Sequence, residues 1–206
     1  MNTNSDLSLL VAIAQEVVVG KRTDLSVSDA QAILDGGIRV CDAEYYSRVL
    51  VAGGSPQSTN PLVKIETSKS PGTTNFDKAK LPAGRNLLVT EMALASGVNA
   101  TLISTIFKQA FDAEVGLANG EIEIRQNGKT LGYFNVSTFQ NGYNQTTAAD
   151  AITLQNAEPK YFVKLKAPFV LRADWPVEAI LSPSASLTSN TNVEITFKGL
   201  QTLDRS

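Results

Sequence analysis

Alternation with a period of two, broken by turn residues, governs the chain from Leu62 to Leu200 and is sharpest in GEIEIRQNGKTLGYF, Gly120 to Phe134. Ile122 and Ile124 fall on one face of a strand; Glu121, Glu123 and Arg125 fall on the other. Asn127-Gly128 supplies the two residues that tolerate positive φ in a tight hairpin turn. The stretch also holds Gly-Lys-Thr, the tail of a phosphate-binding loop, but Glu123 stands where that loop needs its first glycine. A carboxylate there would repel the phosphates, so the segment predicts a hairpin pairing about Gly120 to Gln126 with Lys129 to Thr138.

Other runs of the same kind surround it. LVKIET, NLLVTEMALA, PVEAILSP and NVEITFKGLQT read as strands, and KYFVKLKAPFVL as two strands bent at Pro168. SKSPGTTNFDKAKLPAGR and QNGYNQTTAAD read as loops. VNATLISTIFKQAFDAEVG departs from the rule: Val98, Leu102, Ile106 and Ala110, with Ile103, Phe107 and Phe111, recur at helical spacing. Asn99 can cap it and Gly116 can close it, which predicts one inserted helix. About eight strands over the remaining length is the yield of a single antiparallel β-sandwich of the Greek-key kind.

The N-terminal part reads differently. DLSLLVAIAQEVVVGKR suits a short helix from an Asp6 cap to Gly20, with the β-branched Val17 to Val19 making a strand the competitor. In SVSDAQAILDGG, Ser26 or Ser28 caps a second helix and Gly36 or Gly37 ends it. IRVCDAEYYSRVLVAGG mixes periods and fits helix or strand, and GGSPQSTNP is a loop. The boundary is therefore expected there, with an arm of short helices over residues 1–55 and the sandwich over 56–206. The first helix carries more apolar surface than a lone arm should expose. Leu7, Leu10, Val11, Ile13, Val17 and Val18 must dock on the chain's own core, a neighbouring subunit or a membrane surface, and are the candidate assembly contacts. Ser8, Gln15 and Glu16 interrupt the run, which is too short to span a bilayer. The polar start MNTNSD is not that of a signal peptide, so the sequons at Asn99, Asn135 and Asn144 predict no glycosylation.

Composition closes several routes to chemistry. The 206 residues contain no histidine, which excludes serine–histidine and cysteine–histidine catalysis and removes the commonest metal ligand. The one cysteine, Cys41, cannot close an internal disulfide and reads as a small buried apolar residue. A net charge of −2 gives no global field for nucleic acid or an anionic membrane.

The remaining polar groupings are weak sites. Glu121 and Glu123 share a strand face, as a glycosidase pair would, but need an opposing cleft. Ser104 or Thr105 with Lys108 would share a face of the inserted helix, where the lysine reads as solvated. Lys78, Lys80 and Arg85 lack interleaved aromatics for nucleic-acid binding. Trp175, Tyr161, Phe162 and Phe169 fit a sugar-stacking platform or, more simply, a sandwich core. Asp42 with Glu44, and Asp77 after Asn75, are too sparse for a calcium loop. No enzyme activity, cofactor or metal is expected.

Three stretches carry a resemblance: NFDKAKLPAGRNLLVTEMAL, NGEIEIRQNGKTLGYFNVSTF and YFVKLKAPFVLRADWPVEAILSPSASLTSNTNVEITFKGL. They resemble the leading strand, central hairpin and closing strands of viral jelly-roll capsid proteins, particularly those of tailless, lipid-containing bacteriophages. The likeness covers about two thirds of the chain and rests on pattern rather than an invariant motif. It implies a virion protein, made in the host cytoplasm, that self-assembles as trimers or pentamers beside other virion proteins. Its arm would touch neighbours or an internal membrane, and no specific nucleic acid is implied. A double jelly roll would need about sixteen strands, so a single one is expected. The alternative is a carbohydrate- or receptor-binding sandwich of a fibre or spike.

Overall fold

The structure, a computed structural model, describes residues 3–51, 59–109, 115–139 and 162–203. Among them are three helices, α1 (Thr3–Val18), α2 (Val27–Leu34) and α3 (Val115–Ala118). The strands are β1 (Arg39–Val51), β2 (Asn60–Pro61), β3 (Leu87–Val98), β4 (Lys108–Gln109), β5 (Glu121–Gln126), β6 (Lys129–Asn135), β7 (Val163–Leu171), β8 (Val177–Ser182) and β9 (Thr191–Leu203). They form two antiparallel sheets with an apolar core that draws on both. The first runs β1-β9-β3, with β7 and β4 both against the far side of β3; the second runs β2-β8-β5-β6.

Strand pairing is nested. β1 pairs with β9, β2 with β8, β3 with β7 and β5 with β6, so early strands meet late ones in reverse order. The outermost pair joins Arg39 to Leu203. Between the sheets, Val193, Ile195 and Phe197 of β9 meet Ile122, Ile124, Ala179 and Leu181. Phe76 packs there too, edge-on to Phe197. The second sheet alternates as its sequence does: Ile122, Ile124 and Gln126 point inward, while Glu121, Glu123 and Arg125 face out. Gln126 is buried without penalty because its amide donates to the carbonyls of Arg172 and Trp175 and accepts from the Arg172 N–H.

The expected hairpin forms, with Asn127 at φ 51° and Gly128 at φ 71° in the turn. A less obvious turn closes at Asp77 and Lys80, which exchange backbone hydrogen bonds of 3.1 and 2.9 Å. Its centre holds Lys78 at φ 48° and Ala79 at φ 62°, conformations that crowd a β-carbon. Lys78 is exposed, so Lys78→Gly relieves strain without emptying the core. We expect it to raise stability by about 0.5–1 kcal/mol, seen as a higher urea midpoint at unchanged slope.

Both N-terminal helices form, but α1 starts at Thr3, which puts Asp6 inside its first turn rather than at the expected cap. The Ser26 hydroxyl accepts from the Asp29 N–H at 3.0 Å, and Gly20 and Gly36, both at positive φ, terminate α1 and α2. The Lys21 and Gly37 N–H groups reach back to Glu16 and Ala32 at 2.8 Å, which satisfies the last-turn carbonyls. Leu10, Ile13, Ala14 and Val17 then pack with Leu25, Ala30 and Ile33 onto Leu88, Val170 and Leu200, on the outward side of the first sheet. This second core corrects the assembly assignment of Leu10, Ile13 and Val17: the chain's own sheet hides them. Leu7 and Val18 remain exposed and Val11 half-buried.

Four further readings change. The boundary near residue 55 does not separate an arm from the sandwich, because β1 pairs along its whole length with β9. LVKIET is not a strand; the chain turns there, after the two-residue β2. The inserted helix is replaced by the end of β3, a single 3-10 turn at Leu102–Ser104, β4 and the four-residue α3; Ala110 and Phe111 lie outside the described residues. Gly97 explains the replacement. The chain folds back over it so closely that a β-carbon would stand 2.5 Å from the Ile106 carbonyl oxygen. The buried Asn192 amide fixes that return by donating to the Asn99 carbonyl at 2.7 Å and the Thr105 hydroxyl at 2.9 Å. KYFVKLKAPFVL makes one strand rather than two, and its register against β3 breaks in the stretch containing Pro168. An edge strand tolerates a missing N–H at such a break.

Candidate functional site

The groups that sequence marks as reactive are scattered. Ser104 and Thr105 are not on a helix with Lys108: the Thr105 hydroxyl donates to the Thr101 carbonyl at 3.1 Å, and Lys108 belongs to β4. Lys78, Lys80 and Arg85 are exposed along the loop before β3. Cys41 is half-buried on β1 rather than enclosed. No cluster of three potential metal ligands occurs among the described residues. Trp175 is half-buried with the Arg172 guanidinium 4.1 Å from its ring centre, so its own chain occupies one face. Phe162 lies under Lys198, Phe169 is in the core, and Tyr161 is outside the described residues.

Polar groups converge on the solvent face of the second sheet. Glu121 and Glu123 do share that face. Glu123 is paired across the strands with Tyr133 of β6 on one side and Ile180 of β8 on the other. Its carboxylate contacts the Arg125 guanidinium at 2.5 Å and accepts from the Thr130 hydroxyl at 2.7 Å. Glu121, Glu123, Arg125, Tyr133, Ile180 and Ser182 border an open depression of about 260 Å³.

Hydrogen bonds from Arg125 and Thr130 hold the Glu123 carboxyl well below the usual carboxylate range, at about 2. The group stays ionised at neutral pH, the opposite of what a general acid requires. Because the folded-state pKa is depressed, its stabilising effect is complete above the ordinary carboxylate pKa and fades as pH falls toward 2. We expect carboxyl NMR to find Glu123 titrating near 2, and Arg125→Met to return it toward about 4.

Exposed apolar groups gather elsewhere. Ile103 and Ile106, 73% and 78% exposed, stand on the loop after β3 beside Val98. On the helices Leu7, Val18 and Val27 face out, as does Val19 just past the end of α1. The free edge of β1 is partly closed: Asn75 bonds the Tyr46 N–H through its side chain at 2.7 Å, and the Arg48 N–H donates to the Thr73 carbonyl at 2.8 Å. Among the described residues no helix is long and apolar enough to cross a membrane. No protein-family model and no curated protein matches the chain.

Proposed function

We propose that the sandwich is a single jelly roll and that the protein is a structural virion subunit, self-assembling into a bacteriophage capsid shell. The nested pairing carries the reading. Leaving aside the two-residue β4, the eight strands pair first with last, second with seventh, third with sixth and fourth with fifth. That is a long antiparallel hairpin wrapped around itself into two four-stranded sheets, which is how a jelly roll arises from two Greek keys.

Physical properties agree with a subunit that works by packing. Its charge of −2 sets up little repulsion between copies. Leu7, Val18 and Val27 on the helices, Val19 just past α1, and Ile103 and Ile106 on the β3 loop are left for neighbours such as sister subunits, other virion proteins or an internal membrane. The N-terminal helices contribute their outer surface, since their inner surface is committed to the first sheet. The reading needs no catalysis, cofactor or metal.

Size-exclusion chromatography with light scattering tests it. A closed oligomer, trimer or pentamer, or a larger shell is expected, with interfaces of about 2,000 Å² or more. A protein that remains monomeric as concentration rises contradicts the proposal.

A further inference from the structure

The face bearing Glu123 has the chemistry of a ligand surface. Ile180, Glu123 and Tyr133 form one row across β8, β5 and β6. Tyr133 is 68% exposed although it stands on a strand, and its hydroxyl lies within reach of Glu123 and Arg125. One step along the strands, Glu121 is paired with Ser182; one step the other way lies Arg125. The depression these groups border is shallow, open and lined by both polar and apolar atoms.

An aromatic ring and an aliphatic side chain, flanked by carboxylate acceptors and guanidinium donors, complement a pyranose: apolar C–H faces and a rim of hydroxyls. We infer that this face binds a neutral saccharide, its ring stacked on Tyr133 and its hydroxyls bonded to Glu121, Glu123 and Arg125. Two carboxylates against one guanidinium, with Glu178 opposite Arg125, disfavour sialylated or sulfated sugars. The sheet presents these groups already oriented, since Arg125 and Thr130 hold Glu123 in place, so little ordering opposes binding. Trp175 is less suited to the role because it is half-buried and Arg172 occupies one face of its ring.

The inference is independent of shell assembly: Tyr133→Ala should weaken sugar binding and leave the oligomer unchanged. A glycan array probed with the full chain, followed by saturation-transfer NMR on the neutral oligosaccharides retained and on sialyllactose, tests it. Neutral glycans should bind with dissociation constants of about 0.1–10 mM, as expected for a shallow site. Tyr133→Ala should weaken binding by about tenfold or more, Tyr133→Phe should keep most of it, and Trp175→Ala should change nothing. Tyr133 is exposed, so circular dichroism of the alanine variant should match the parent. An array without any neutral hit, preferential capture of sialyllactose, or unchanged binding by Tyr133→Ala overturns the inference.

Discussion

Gly199→Ala should destabilise the protein by about 3 kcal/mol or more, the largest effect expected of a glycine-to-alanine change among the described residues. Gly199 lies on β9 between β1 and β3, where the ladder to β3 carries a bulge: Val89 pairs with Gly199 and Glu91 with Lys198, leaving Thr90 as the extra residue. A β-carbon at Gly199 would stand 1.8 Å from the Leu88 carbonyl oxygen and 3.1 Å from the Thr90 nitrogen. Those are backbone atoms, so relief requires the two central strands to part. Urea unfolding of Gly199→Ala measures the loss, and a midpoint equal to the parent's would show that the bulge is not as tight as described.

Arg48→Ala should cost about 3–5 kcal/mol for an electrostatic reason. Glu194 on β9 has a side chain that is 0% exposed and is ion-paired with Arg48, its register partner on β1. The guanidinium also lies 4.9 Å from the ring centres of Tyr46 and Phe107 and donates to the Gly72 carbonyl at 3.0 Å. It thus ties two loops to the sheet while neutralising a carboxylate that water cannot reach. Adding Glu194→Gln to Arg48→Ala should recover part of the loss, since no buried charge is then left without its partner. Strict additivity in that double-mutant cycle would mean the two charges do not act on each other.

Local rules made the hairpin, the two ends of α2 and most strands legible, because their determinants lie within a few residues. Asn127-Gly128 sets its own turn, and Ser26 and Gly36 bound α2 whatever surrounds them. Non-local facts were not legible. β1 mixes periods because it is an edge strand enclosed mainly near its C-terminal end, at Tyr45, Ser47, Val49 and Val51, and its partner β9 ends the described chain. Residues 98–107 imitate a helix by spacing alone, while close packing over Gly97 and the Asn192 amide impose a different path. The same limit hid Tyr133 from the candidate site. Counting outward from the turn places Tyr133 opposite Ile122, on the core side. A bulge at Leu131 shifts the register by one and brings it opposite Glu123, into solvent.

The central claim is that a wrapped eight-stranded sandwich serves as a building block for a closed assembly of identical subunits. Electron cryo-microscopy of the purified full chain tests it most directly. The account predicts particles or rings of rotational symmetry in which each subunit is one sandwich, with α1 and α2 on the outward side of the first sheet and Ile103 and Ile106 covered by neighbours. A field of single subunits at every concentration, with those isoleucines open to solvent, would contradict it.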